Sequence, residues 1–145
     1  MSDKPAVLVV DDDESFRSLV ADRLTRTGHR TAAAPEGESA LSLLEGVEVA
    51  VVDLLMPGMD GLAFLDALRR DARHVRLPVV VVTAKDLSPE EAERLGADGS
   101  IVLRKGDELT RELERVVGEV LVQRVAGQDA PRPSGGSGRG LASGG

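Results

Sequence analysis

Four apolar runs in this 145-residue chain, Val7-Leu8-Val9-Val10, Val49-Ala50-Val51-Val52, Val79-Val80-Val81-Val82 and Ile101-Val102-Leu103, each end at or shortly before a polar residue: Asp11, Asp53, Thr83 and Lys105. Unbroken runs rich in valine, separated by segments of helical spacing, are the pattern of parallel strands covered on both faces. A fifth strand of small residues is expected from His29 to Ala34. Five strands alternating with five helices predict a doubly wound α/β sheet. Right-handed crossovers and a strand-order reversal beside the first strand suit the order 2-1-3-4-5. Ligands of such a sheet bind beyond the carboxyl ends of the strands, so the four polar residues are expected to share one pocket.

The helices are readable from their apolar spacing and their ends. The first is expected to be capped by Asp13 or Glu14, to bury Phe16, Leu19, Val20 and Leu24, and to end at Gly28. Pro35-Glu36-Gly37 reads as a turn before a second helix through Ala40, Leu41 and Leu44 to Gly46. Met56-Pro57-Gly58-Met59-Asp60-Gly61 is a loop by its composition, followed by a third helix carrying Leu62, Phe64, Leu65 and Leu68. Ser88-Pro89-Glu90-Glu91 supplies an N-cap, a proline at the first helical position and acids in the first turn of a fourth helix, which Gly96 and Gly99 should close. A last helix is expected over 108–125, with Leu109, Leu113, Val116, Val117, Val120 and Leu121 on one side. The chain therefore divides into one domain over 1–126 and a disordered tail or linker, rich in Gly, Ser and Pro, over 127–145.

Composition narrows the class of partner. With 25 acidic against 18 basic residues and a net charge of −7, the chain lacks an electrostatic footprint for nucleic acid or an anionic membrane. The absence of cysteine excludes disulfides and thiolate chemistry and fits a cytoplasmic protein. No apolar stretch approaches a membrane span.

Asp11 and Asp12 at the end of the first strand and Asp53 at the end of the third would bring three carboxylates together. Like charges that close raise one another's pKa, so ionised acids there need a cation. Oxygen ligands alone, completed by water and a phosphate, suit Mg²⁺. Thr83 offers a hydroxyl and Lys105 an ammonium to hold phosphoryl oxygens, which makes phosphoryl transfer to a carboxylate the natural chemistry.

Val9-Val10-Asp11-Asp12-Asp13, the loop Asp53-Leu54-Leu55-Met56-Pro57-Gly58-Met59-Asp60-Gly61, Thr83-Ala84 and Lys105 together resemble a response-regulator receiver domain of two-component signalling, over roughly residues 4–125. The resemblance implies a flavodoxin-like (CheY-like) fold. Asp53 then resembles the phosphoacceptor, loaded from the phosphohistidine of a sensor histidine kinase or phosphotransfer protein. Asp11, Asp12, Asp53 and the backbone carbonyl of Leu55 resemble the Mg²⁺ ligands, Thr83 the switch hydroxyl and Lys105 the phosphoryl-binding ammonium. Such a domain is no enzyme towards other molecules. It catalyses its own phosphorylation and dephosphorylation, and signals to a downstream protein through the face of the fourth helix, fifth strand and fifth helix. Leu55, two places past the acceptor, implies a restricted water path and a longer-lived phosphoryl state.

Three features depart from the family pattern. Gly106 replaces the usual proline after the lysine, which should loosen that loop. Gly96-Ala97-Asp98 lies further from the lysine than the family's turn, which implies a shortened fourth helix and a longer loop after it. The usual switch aromatic falls near Val102, and the chain has no Tyr or Trp. The alternative these raise is an atypical receiver that binds its partner independently of phosphorylation. An aspartyl-phosphate phosphatase is disfavoured by Leu55 where a second acid would stand, and a flavin protein by the acidic first loop. In isolation Phe16 and Phe64 read as core residues, Met56 and Met59 as packing in the loop, His29 and His74 as lone histidines. Arg69-Arg70 and Glu90, Glu91 and Glu93 read as solvated helix faces.

Overall fold

In the computed structural model, which describes residues 5–129, ten elements alternate strictly along the chain. They are β1 (Val7–Val10), α1 (Glu14–Arg26), β2 (Thr31–Ala34), α2 (Gly37–Leu41), β3 (Val49–Asp53), α3 (Gly61–Arg70), β4 (Val79–Thr83), α4 (Pro89–Asp98), β5 (Ile101–Arg104) and α5 (Leu109–Asp129). The strands form one parallel sheet in the order β2-β1-β3-β4-β5, as the pattern of apolar runs predicts.

Alternation along each strand divides the core in two. Leu8, Val10, Ala50, Val52, Val79 and Val81 face a layer containing Phe64, Leu65, Leu68 and Leu95 from α3 and α4. Val7, Val9, Val49, Val51, Val80 and Val82 face Val20 and Leu24 of α1 and Leu109, Leu113 and Val117 of α5. Residues of β1, β3 and β4 are buried throughout, because helices cover both sides of these central strands. Edge strand β5 is exposed at both ends.

Several local expectations need correction. Leu19 is exposed, since α1 buries only the narrower stripe of Val20 and Leu24. Gly37 begins α2 rather than closing a turn, and the helix ends at Leu41; Leu44 is still buried, through a turn rather than a helical face. Gly96 lies inside α4, which is not shortened: it continues through Asp98, and only Gly99 and Ser100 separate it from β5. The reason is a side-chain lock. Arg69 of α3 donates to both carboxylate oxygens of Asp98, at 2.7 and 2.9 Å, and to the carbonyls of His74 and Val75. Ser100 adds a bond to Asp98, and Gly99 takes the left-handed conformation that ends the helix. Burial pushes the Asp98 carboxyl up, but the bonds from Arg69 and Ser100 outweigh it and hold it below its usual range.

Arg69 is therefore no solvated face residue, and neither is Glu91. Ser88 caps α4 and Glu91 completes the capping box, with Lys85 3.0 Å from its carboxylate. The last helix continues to Asp129, beyond its expected end; the remainder of the expected tail, from residue 130, lies outside the described residues.

Gly61 joins the fold to the pocket. Its N–H donates to the Leu54 carbonyl at 3.0 Å, and a Cβ there would stand 2.7 Å from the Asp53 carbonyl oxygen and 2.8 Å from the Leu54 Cα. Gly61→Ala is expected to lower unfolding free energy by about 1–3 kcal/mol through this backbone clash. Gly96→Ala, in open helical surroundings, is expected to raise it by about 0.5–1 kcal/mol. Urea unfolding of the two variants checks both; a change of the same sign in both would contradict the packing described.

Candidate functional site

At the carboxyl edge of the sheet the ends of β1, β3 and β4 stand side by side, with Lys105 just beyond β5. Hydrogen bonds carry the register into the loops. The Asp11 N–H donates to the Ala34 carbonyl at 3.1 Å, the Leu54 N–H to Val82 at 2.9 Å and the Lys105 N–H to Thr83 at 2.8 Å. The last of these keeps Lys105 in register although Gly106 follows it.

Asp11, Asp53 and Thr83 are the buried polar side chains of the described residues, while Asp12 is exposed. Asp11, Asp12 and Asp53 can each offer an oxygen within 4.8 Å of the others, the spacing of a cation site. Asp11 is fully engaged: Oδ1 accepts the Asp13 N–H at 2.9 Å and Oδ2 accepts the Lys105 ammonium at 3.0 Å. Asp53 is less so. Its Oδ1 accepts from the Leu55 N–H at 3.3 Å, and its Oδ2 lies 3.5 Å from the Lys105 nitrogen. Of the two buried acids, Asp53 keeps the freer oxygen.

Burial raises the Asp53 pKa, and the charge of Asp11 adds to it; Lys105 and the Leu55 N–H oppose them, Asp12 reinforces them, and the result is a pKa of about 6. Lys105 shows the reciprocal balance. Burial pushes its pKa down, but the hydrogen bond and charge of Asp11, together with Asp53, hold the ammonium above its usual range. Lys105 thus offsets part of the negative charge that the three carboxylates bring to the pocket.

Thr83, 1% exposed, directs its hydroxyl within the loop after β4: it donates to the Lys85 carbonyl and accepts from the Lys85 N–H, both at 3.2 Å. The N-terminus of α1 is organised by Asp13, which accepts from the N–H groups of Ser15 and Phe16. Leu55 stands 51% exposed beside the acids. Phe64 is fully buried and Met56 nearly so, as core residues. His74 sits away from the pocket, 3.3 Å from Asp71.

Two contacts at the pocket go beyond the sequence reading. The Arg17 guanidinium donates to the Asp11 carbonyl at 2.9 Å. Phe16, expected as a simple core residue, presents its ring 4.4 Å from the Lys105 nitrogen. The helical spacing that suggested burial carries no information about this contact, which joins α1 to the loop after β5. Only the acid cluster immediately before the helix hinted that its first turn would border the site.

A parallel sheet of this order with acids, a hydroxyl and a lysine gathered at its strand ends defines the regulatory α/β domain of two-component signalling. The chain belongs to the response-regulator receiver domain family, whose profile matches residues 7–116. It is similar to the transcriptional regulatory protein AfsQ1 of Streptomyces coelicolor, 35% identical over 102 residues that cover 68% of this chain and 44% of that protein. The heme response regulator HssR of Staphylococcus aureus is 44% identical over 88 residues, covering 58% and 38% respectively. The chain thus spans less than half the length of these relatives. Among solved structures, the receiver domain of the Francisella response regulator 1452 has a TM-score of 0.72 at 30% identity over 83% of this chain and 99% of that one. Chemotaxis protein CheY4 of Vibrio cholerae has the same TM-score at 28% identity, over 81% and 98%.

The raised Asp53 pKa has a stability consequence. Its proton is bound more tightly in the folded than in the unfolded chain, so its contribution is most favourable below about pH 4 and is lost as pH rises through about 6. Without metal, Asp53→Asn is therefore expected to be more stable than wild type at pH 8, by about 2 kcal/mol, with the advantage vanishing near pH 4. Urea titrations in chelator measure this. A variant less stable than wild type at pH 8 would contradict it.

Proposed function

We propose that this domain is a phosphoacceptor that takes a phosphoryl group onto Asp53 in a Mg²⁺-dependent reaction, and that the freer oxygen of Asp53 beside a fully engaged Asp11 is the observation that favours this acceptor. An Asp53 oxygen attacks the phosphorus of a phosphohistidine in line. The new O–P bond forms as the P–N bond breaks, and the electron pair of that bond leaves on the imidazole, which departs as the neutral base because its other ring nitrogen already carries a proton. Asp11, Asp12, Asp53 and the Leu55 backbone carbonyl would hold Mg²⁺, which supplies charge neutralisation of the phosphoryl oxygens. The donor-set chemistry fits: three carboxylate oxygens, with no soft ligand among them.

Lys105 moves its hydrogen bonds from Asp11 to the phosphoryl oxygens, and Thr83 exchanges Lys85 for the same group. The exchange frees the loop after β4 and shifts the equilibrium of the face formed by α4, β5 and α5, which a downstream protein reads in the cytoplasm. The donor is a sensor histidine kinase or phosphotransfer protein. Neither nucleic acid nor a membrane is a partner of this domain. Reversal is hydrolysis: water attacks the aspartyl phosphate in line, and exposed Leu55 shields that approach.

Incubation with acetyl phosphate should add one phosphoryl mass in the presence of Mg²⁺, none in chelator and none to Asp53→Asn. Mg²⁺-independent gain, or gain by the variant, would overturn the reading. Absence of gain from both acetyl phosphate and a kinase donor would leave the phosphorylation-independent binding module in its place. In the same assay Leu55→Ala is expected to lose its phosphoryl group severalfold faster than wild type; an unchanged half-life would remove the shielding role from Leu55.

A further inference from the structure

The Lys105 ammonium has three partners, and two of them are carboxylates of the cation site: Asp11 at 3.0 Å and Asp53 at 3.5 Å. The third is the Phe16 ring, whose centroid lies 4.4 Å from the nitrogen, well inside the range of a cation–π contact. A divalent ion on the carboxylates would compete for both anionic partners and repel the ammonium. The ring is neutral, binds no metal, and is the partner that survives. The bond from the Lys105 N–H to the Thr83 carbonyl, at 2.8 Å, fixes the backbone of the lysine but not the direction of its four-carbon side chain, and Gly106 has no side chain to pack against it.

Phe16 itself is well fixed. Its N–H is bonded to the Asp13 cap at 3.3 Å, and the residue packs against the buried layer that includes Val20, Val82 and Leu109. The first turn of α1 therefore carries the ring and follows directly on the acids Asp11 and Asp12, so one short segment supplies both the anions and the platform.

We propose that Phe16 is a positioning residue: its ring holds the Lys105 ammonium over the acidic pocket when a cation occupies the carboxylates, ready for the incoming phosphoryl group. This rests on the reading of Asp11, Asp12 and Asp53 as a metal site. The ring makes no contact with the reacting atoms. It acts through Lys105, and an aliphatic side chain of similar size would fill the space without supplying the attraction.

The first measurement is the NMR shift of the Lys105 ε-CH₂ and ammonium groups, without metal and through a Mg²⁺ titration. The expected result is an upfield ring-current shift that persists at Mg²⁺ saturation in wild type and is absent from Phe16→Leu. Its loss from wild type at saturation, or the same Lys105 shift in Phe16→Leu, would overturn the proposal. Thermal melts establish that the variants are folded. With acetyl phosphate, Phe16→Leu is expected to be phosphorylated about three- to tenfold more slowly and Phe16→Tyr to recover most of the rate. Equal rates for all three would also overturn it, as would failure of the tyrosine to rescue. Should wild type bind Mg²⁺ but take no phosphoryl group, the phosphoacceptor reading fails while the NMR titration still decides the role of Phe16.

Discussion

The ion pair between buried Asp11 and half-buried Lys105 governs this pocket, because without it two carboxylates held by the sheet would face each other with no compensating charge. Burial of Asp11 and Asp53 at adjacent strand ends is a cost built into the topology. The lysine offsets part of that cost. The bond from the Lys105 N–H to Thr83 sets the position of its Cα, and the hydrogen bond to Asp11 sets its direction. Under the proposed function the same arrangement would make the site responsive, since a cation or phosphoryl group bound there would compete for the lysine's contacts.

The surrounding fold keeps these strand ends in place. Two apolar layers close over the central strands, so the register that aligns Asp53 with Val82, and Thr83 with Arg104, is fixed by packing on both faces. On one side Gly61 lets α3 begin against the backbone of Asp53 and Leu54. On the other, α4 is tied at its carboxyl end to α3 by Arg69 and Asp98, while its amino end rests on the local Ser88–Glu91 box and the Lys85 pair. The amino end of α4, which follows the loop from Thr83, is thus the less anchored of its two ends. Arg104 and Asp86 add an ion pair between β5 and the loop after β4 on the solvent side.

Most of this was legible in the chain, for definite reasons. Valine runs on both-face-buried strands leave an unambiguous pattern, and the residue that stops each run lies at the carboxyl edge of the sheet, so the chain itself places Asp11, Asp53, Thr83 and Lys105 together. The misreadings came where a local signal competes with a distant contact. Gly96 signals a helix end by propensity, but the Arg69–Asp98 pair, separated widely in sequence, carries α4 past it. Leu44 keeps helical spacing from Ala40, and its burial is achieved by a turn instead. Phe16 is ambiguous for the same reason: its period assigns it to the core, and only the folded loop after β5 reveals the ammonium above its ring.

Chemically identical acids take different duties here by their engagement alone, and site mapping of the phosphoryl group tests that division most directly. Borohydride reduction of the phosphorylated protein converts an acyl phosphate to the alcohol, and tandem mass spectrometry of the peptides locates it. The modification is predicted at Asp53 alone. Its appearance at Asp11 or Asp12 would contradict the central claim that Lys105 and the Asp13 N–H occupy Asp11 and leave Asp53 as the reactive carboxylate.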